Sequence, residues 1–288
     1  MKFWQFLRFT DPVQLTPLAQ VVEDAGFHGL MLGDHVVFPE EVNSDYPYHT
    51  TGKPFWDPET PWPDPFSAIG AMAAVTKRIH FSTNVYVLPM HNPFDVARAL
   101  ATLSLMSNGR IELGCGAGWN KEEFDAMGVE FSSRGKRYNE MIEIMRLLWS
   151  GEMTEYHGEI FDFPRLQMSP KPKIAPRLLM AGDAKVAMRR AATLGDGWVT
   201  GNFSLKNLPD KIAAVRALRE EAGLADKPFR IVASVNEVKV DIYKRLEDMG
   251  VTDILNLPKI EEIGPKASQD DKADYIRRFA DSYLRDFE

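Results

Sequence analysis

The sequence predicts an α/β chain closed into an (α/β)8 barrel of the TIM type. Three observations carry this: eight short strand-like runs, longer helix-period segments between them, and glycines where those segments should stop. The runs, rich in β-branched and aromatic residues, lie at 3–7, 28–33, 79–88, 110–115, 177–181, 196–201, 229–235 and 252–257. A doubly wound two-domain enzyme, the competing architecture, usually shows about five or six such units. The 288 residues therefore read as a single domain, 1–288, without linker or internal repeat.

Taken in order, segment 13–25 places Val13, Leu18, Val21, Val22 and Ala25 on one helical stripe, and 93–106 does the same with Val96, Leu100, Leu103 and Met106. Further helices are predicted at 134–149, 183–194, 207–222, 239–249 and 269–285, with Gly26, Gly109, Gly195, Gly223 and Gly250 as stops. Two insertions break the rhythm. Residues 36–64, after the second strand, hold Tyr46, Tyr48, Phe55, Trp56 and Trp62 among prolines. Loops after barrel strands sit over the active site, so this one predicts an aromatic wall or lid, with a self-association patch as the other reading. Residues 152–176, before the fifth strand, alternate apolar and polar around His157-Gly158 and predict a hairpin beside the barrel.

Composition bounds the function. A net charge of −7 without a basic block argues against a nucleic-acid surface, and no apolar run reaches the roughly 18 residues of a membrane span. The expectation is a cytoplasmic protein acting on a small molecule. A lone cysteine, Cys115, rules out an internal disulfide, and the six histidines show no paired ligand spacing, so no metal site is expected.

In a barrel of this type the strand C-termini share one pocket. The second strand ends Gly33-Asp34-His35, a carboxylate beside an imidazole, which suits acid-base work; His91 reads as a plain turn residue. The third strand, Ile79 to Pro89, is long and interrupted by Ser82-Thr83-Asn84, which predicts a bulge. The fourth ends Gly114-Cys115-Gly116-Ala117-Gly118-Trp119, whose alternate glycines let backbone approach a flat ring or a phosphate. The fifth ends Ala181-Gly182-Asp183 and opens a helix, leaving either backbone donors for an anion or Asp183 as the cap. Arg134, Lys136, Arg137, Arg189 and Arg190 supply nearby cations.

Taken together, Gly33-Asp34-His35, Ser82 to Pro89 with His91-Asn92-Pro93, Leu105 to Arg110, Gly114 to Trp119 with Asn120 to Phe124, Arg134 to Tyr138, Ala181-Gly182 and Leu194 to Trp198 resemble the luciferase-like monooxygenases, and within them the coenzyme F-420-dependent branch. The resemblance spans residues 1–200. It implies a flavin-like ring across the barrel mouth, supported by a non-prolyl cis peptide at Asn84-Val85. Asp34 would bond the ring edge and His35 would act as acid or base. Gly116, Ala117 and Gly118 would line the cofactor side chain, with Gly182, Asp183 and Ala184 and one of Arg134, Arg137 or Tyr138 near its phosphate. Sugar-oxidising members carry a glutamate where Trp119 stands, so Trp119, Trp56 and Phe55 imply an apolar or planar substrate. The implied reaction is hydride transfer through the 5-deazaflavin coenzyme F-420. Its rivals are an FMN-dependent monooxygenase using oxygen, a barrel lyase or isomerase with Asp34 and His35 as acid and base, and a non-catalytic flavin-binding protein. Family habit implies a homodimer.

Overall fold

The computed structural model describes residues 1–203, 207–235, 237–258 and 263–287. The strands are β1 (Lys2–Phe6), β2 (Gly29–Leu32), β3 (His80–Thr83), β4 (Tyr86–Val87), β5 (Leu113–Gly116), β6 (Thr154–His157), β7 (Asp162–Leu166), β8 (Leu178–Ala181), β9 (Gly197–Phe203), β10 (Arg230–Val235) and β11 (Asp253–Asn256). One sheet runs β3-β2-β1-β11-β10-β9-β8-β5-β4, all neighbours parallel, while β6 and β7 pair alone and antiparallel. The edge strands β3 and β4 are halves of one stave, so the ring closes as eight staves. The predicted barrel and hairpin are both present.

Helices α1 (Pro12–Asp24), α2 (Pro65–Val75), α3 (Pro93–Met106), α4 (Lys121–Ala126), α5 (Arg134–Trp149), α6 (Lys185–Leu194), α7 (Leu208–Glu221), α8 (Val240–Asp248) and α9 (Gln269–Tyr283) surround or flank it. Two were not read from the sequence. The short α4 rises from the loop after β5, and α2 is almost uniformly small and apolar, so no stripe marks it. Its start was legible: α1, α2 and α3 all open on an Asx-Pro pair, with Asp11, Asp64 and Asn92 each accepting a bond from a first-turn backbone N–H. The predicted stripes also overreach. Val13 and Met106 are exposed, and α1 buries Leu15, Leu18, Ala19 and Val22 instead. Gly195 ends α6 without a left-handed turn; a Cβ there would lie 2.7 Å from the Ala191 carbonyl oxygen, so close approach explains the glycine.

Alternation along the strands sends Trp4, Phe6, Met31, Leu179, Val199, Val232 and Leu255 into the barrel, while a larger apolar layer lies between staves and helices. The lower end is closed by ions. Arg230 sits on both Glu112 oxygens at 2.6 Å and on Asp253, which also accepts the Trp4 indole N–H at 2.9 Å. The hairpin rests on α5, where the Glu140 carboxylate collects the backbone N–H groups of Glu159, Ile160 and Phe161, and Phe163 packs on Phe94. Among the described residues no helix is long and apolar enough to cross a membrane.

Candidate active site

The upper rim begins where the third stave breaks. The Asn84-Val85 peptide is cis, at the place the resemblance implied, and separates β3 from β4. The neighbouring backbone comes so close that a Cβ on Gly114 would lie 1.9 Å from the Thr83 carbonyl oxygen. A Cβ on Gly116 would meet the Val85 side chain at 2.9 Å, and Gly118, at φ +82, is wedged against Phe124 and Val87. The glycines are thus required by the close approach of Thr83, Val85, Val87 and Phe124, which packs the end of β5 tightly against the third stave.

Asp34, at the end of β2, is 6% exposed. Its Oδ2 accepts the Val87 backbone N–H at 2.9 Å and pairs with His91 Nε2 at 3.0 Å. The expectation that His91 is only a turn residue is corrected: its ring stacks on Tyr86 at 4.2 Å and braces the carboxylate. Arg137 donates to the carbonyls of Pro89 and His91, the turn that carries this brace, and lies over Phe161. Arg137 therefore holds the turn; it is not a spare cation.

His35 follows Asp34, and its Nδ1 lies 3.0 Å from Oε2 of Glu123, a carboxylate 2% exposed. Sequence reasoning missed Glu123, which stands 88 residues further on in α4; Asn120, capping that helix, was its only local signal. Around the imidazole stand Trp62 at 4.7 Å, Trp56 at 5.1 Å and Trp119 at 6.1 Å between ring centroids. Phe55 and Tyr46 extend the wall, edge-on to Trp56. Loop 36–64 does fold over the mouth, and Trp62 joins Trp56, Phe55 and Trp119 in it. Trp62 also covers Gly33, where a Cβ would clash at 2.3 Å.

The expected phosphate end is mixed. Gly182 takes φ +127, and Asp183 does not cap α6: its carboxylate accepts the Gly201 N–H at 3.2 Å and burial pushes its pKa up. Ala184, the N-cap of α6, supplies no side-chain acceptor to the first N–H groups of the helix. Lys211 donates to the Asp183 carbonyl. Tyr138 is corrected: it is fully buried and its hydroxyl donates to the Cys115 carbonyl, so it has no surface to offer a phosphate. Arg134 donates to the Phe131 carbonyl and lies 3.7 Å over that ring. Burial raises the Cys115 thiol to about 12, which leaves it unreactive.

Away from the mouth, His28, His80 and Glu112 bring three ligand atoms within 4.8 Å, a grouping that sequence spacing could not reveal. The two rings stack face to face at 4.6 Å and Glu112 already serves Arg230, so the group is packed as part of the ionic floor.

The mouth thus combines a tightly packed glycine strand end, a braced carboxylate, a carboxylate-bound histidine and an aromatic wall. A family model described as luciferase-like monooxygenase matches residues 10–238. The chain belongs to that family. Among its relatives, an uncharacterized protein of Mycobacterium tuberculosis is 39% identical over 256 residues, 88% of each chain. The F420-dependent glucose-6-phosphate dehydrogenase of Amycolatopsis mediterranei is 28% identical over 246 residues, 82% of this chain and 68% of that one. Two solved structures share the fold of this luciferase-like chain. The coenzyme F420 dependent tetrahydromethanopterin reductase of Methanopyrus kandleri has a TM-score of 0.78 at 15% identity, covering 100% of this chain and 99% of the other. The monooxygenase RslO1 of Streptomyces bottropensis has a TM-score of 0.77 at 20% identity, covering 100% of both.

Proposed function

We propose that this luciferase-like chain is a coenzyme F-420-dependent oxidoreductase, moving a hydride between the deazaflavin and a small apolar or planar substrate. The observation that carries the reading is the pairing of His35 with Glu123 inside the wall of Trp56, Trp62 and Trp119. The residues present suit a flat ring system. Gly116 and Gly118 with Ala117 would lie along it, Asn84 and Val85 behind it, Asp34 at its edge, and the uncapped start of α6 at Gly182, Asp183 and Ala184 toward a phosphate.

When bound, the deazaflavin supplies a carbon centre that gives or takes two electrons as hydride but lacks the ring nitrogen that makes flavin oxygen chemistry easy. The chain does the rest. His35 exchanges the proton that accompanies the hydride, with Nε2 as the exchanging atom, since Nδ1 is committed to Glu123. Asp34, held by Val87 and His91, offers its other oxygen as a fixed acceptor. The indoles orient a planar substrate and exclude water. Trp119 in place of a sugar-site glutamate supports an apolar substrate over a sugar phosphate.

Equilibrium titration with coenzyme F-420 and, separately, FMN, followed by Trp fluorescence, tests the assignment. Tighter binding of F-420 is expected. A preference for FMN would favour oxygen-dependent chemistry, and binding of neither would sink the redox reading.

A further inference from the structure

Among the described residues, Glu123 is the one buried carboxylate at the mouth whose both oxygens are turned to residues following β2. Its Oε1 lies 2.6 Å from the Val36 backbone nitrogen and 3.4 Å from that of Val37, and its Oε2 lies 3.0 Å from His35 Nδ1. A backbone amide can only donate, so Oε1 accepts. An ionised carboxylate is acceptor-only, and then Oε2 can be satisfied only if Nδ1 carries the proton. The Asn120 side chain, accepting the Glu123 N–H at 3.2 Å, fixes the start of the helix that delivers this group.

We propose that Glu123 is a positioning residue for His35: it holds the neutral imidazole as the Nδ1–H tautomer and so leaves the Nε2 lone pair as the site of proton exchange. This rests on the acid-base assignment of His35 above. The second hydrogen bond, to Val36, stops the carboxylate from rotating with the ring, and the indoles of Trp56 and Trp62 restrict the ring itself. When Nε2 takes a proton, the negative charge already in contact with the ring faces the positive charge that forms. No bond to Glu123 breaks, and its own protonation state does not change.

The test is 15N NMR of the full-length, cofactor-free protein with labelled histidine, assigned through His35→Asn, recorded above the titration of the ring. The expected result is a predominantly Nδ1–H ring in the wild type. In Glu123→Gln the amide oxygen stays on Val36 and the amide NH2 faces Nδ1, so the tautomer should reverse to Nε2–H; Glu123→Asp, keeping a carboxylate, should restore part of the original signal. A wild-type ring that is mainly Nε2–H, or one whose tautomer ignores Glu123→Gln, would overturn the proposal, and the wild-type spectrum decides even if a variant fails to fold. The acid-base assignment fails separately, if His35→Asn still exchanges hydride with coenzyme F-420 at the wild-type rate.

Discussion

A single carboxylate, Asp34, shows how much of this site depends on groups that never face the pocket. Its Oδ2 is shared by a backbone N–H and His91, and Arg137 in turn holds the carbonyl of His91. His91→Ala should therefore leave a buried oxygen short of one donor and cost about 1–3 kcal/mol in denaturant unfolding. On the proposed cofactor assignment it should also weaken coenzyme F-420 binding, because Asp34 can then rotate. Unchanged stability and unchanged binding together would show that the brace is idle. The pair Asp34-His35 was readable from its place after a strand. His91 was not, because nothing within its own turn distinguishes a ring that caps a helix-initiating loop from one that reaches a carboxylate 57 residues back.

At the scale of elements, the short α4 is what holds the aromatic loop. Asn120 caps it, Glu123 ties Val36, and Glu122 accepts from the Asn43 and Ser44 backbones and from the Ser44 hydroxyl at 2.7 Å. These bonds pull the Glu122 carboxyl below its usual range, against the opposing effect of burial. Glu122→Ala should free loop 36–64 while leaving the barrel intact: faster amide exchange and proteolysis at residues 40–50, with little change in the global unfolding midpoint. Equal exchange in both proteins would rule out the tether. The eight staves were legible as short, mostly buried runs separated by helix-period segments and glycine stops, and α3 because its stripe is long. Helix α2 was hidden by its even composition and α4 by its brevity, so the element that delivers Glu123 carried no periodic signal at all.

Across the whole molecule the two ends of the barrel differ in chemistry. The floor stacks His28 on His80 beside Lys2 and Arg230; burial, then neighbouring positive charge, lowers His28 to about 3 and His80 to about 4. Unfolded, both would titrate near 6.5, so the unfolded chain binds more protons between those values, and stability must rise with pH across that window. The pair's contribution is complete above pH 6.5 and is lost as pH falls toward about 4 for His80 and about 3 for His28. Thermal melts from pH 8 to 4 should show this loss, and His28→Phe should flatten it; parallel curves for the two proteins would refute the assignment. The fold and family followed from counting staves and matching motifs, whereas this floor joins residues 28, 80, 112, 230 and 253, which only closure of the barrel brings together. That floor also sets the traffic. With Glu112, Arg230 and Asp253 paired at the lower end and indoles standing at the upper, the proposed cofactor and substrate would both enter from the side of the indoles. Were the proposed deazaflavin to lie along Gly116 and Gly118, behind the indoles, it would have to bind before a smaller substrate and leave after it.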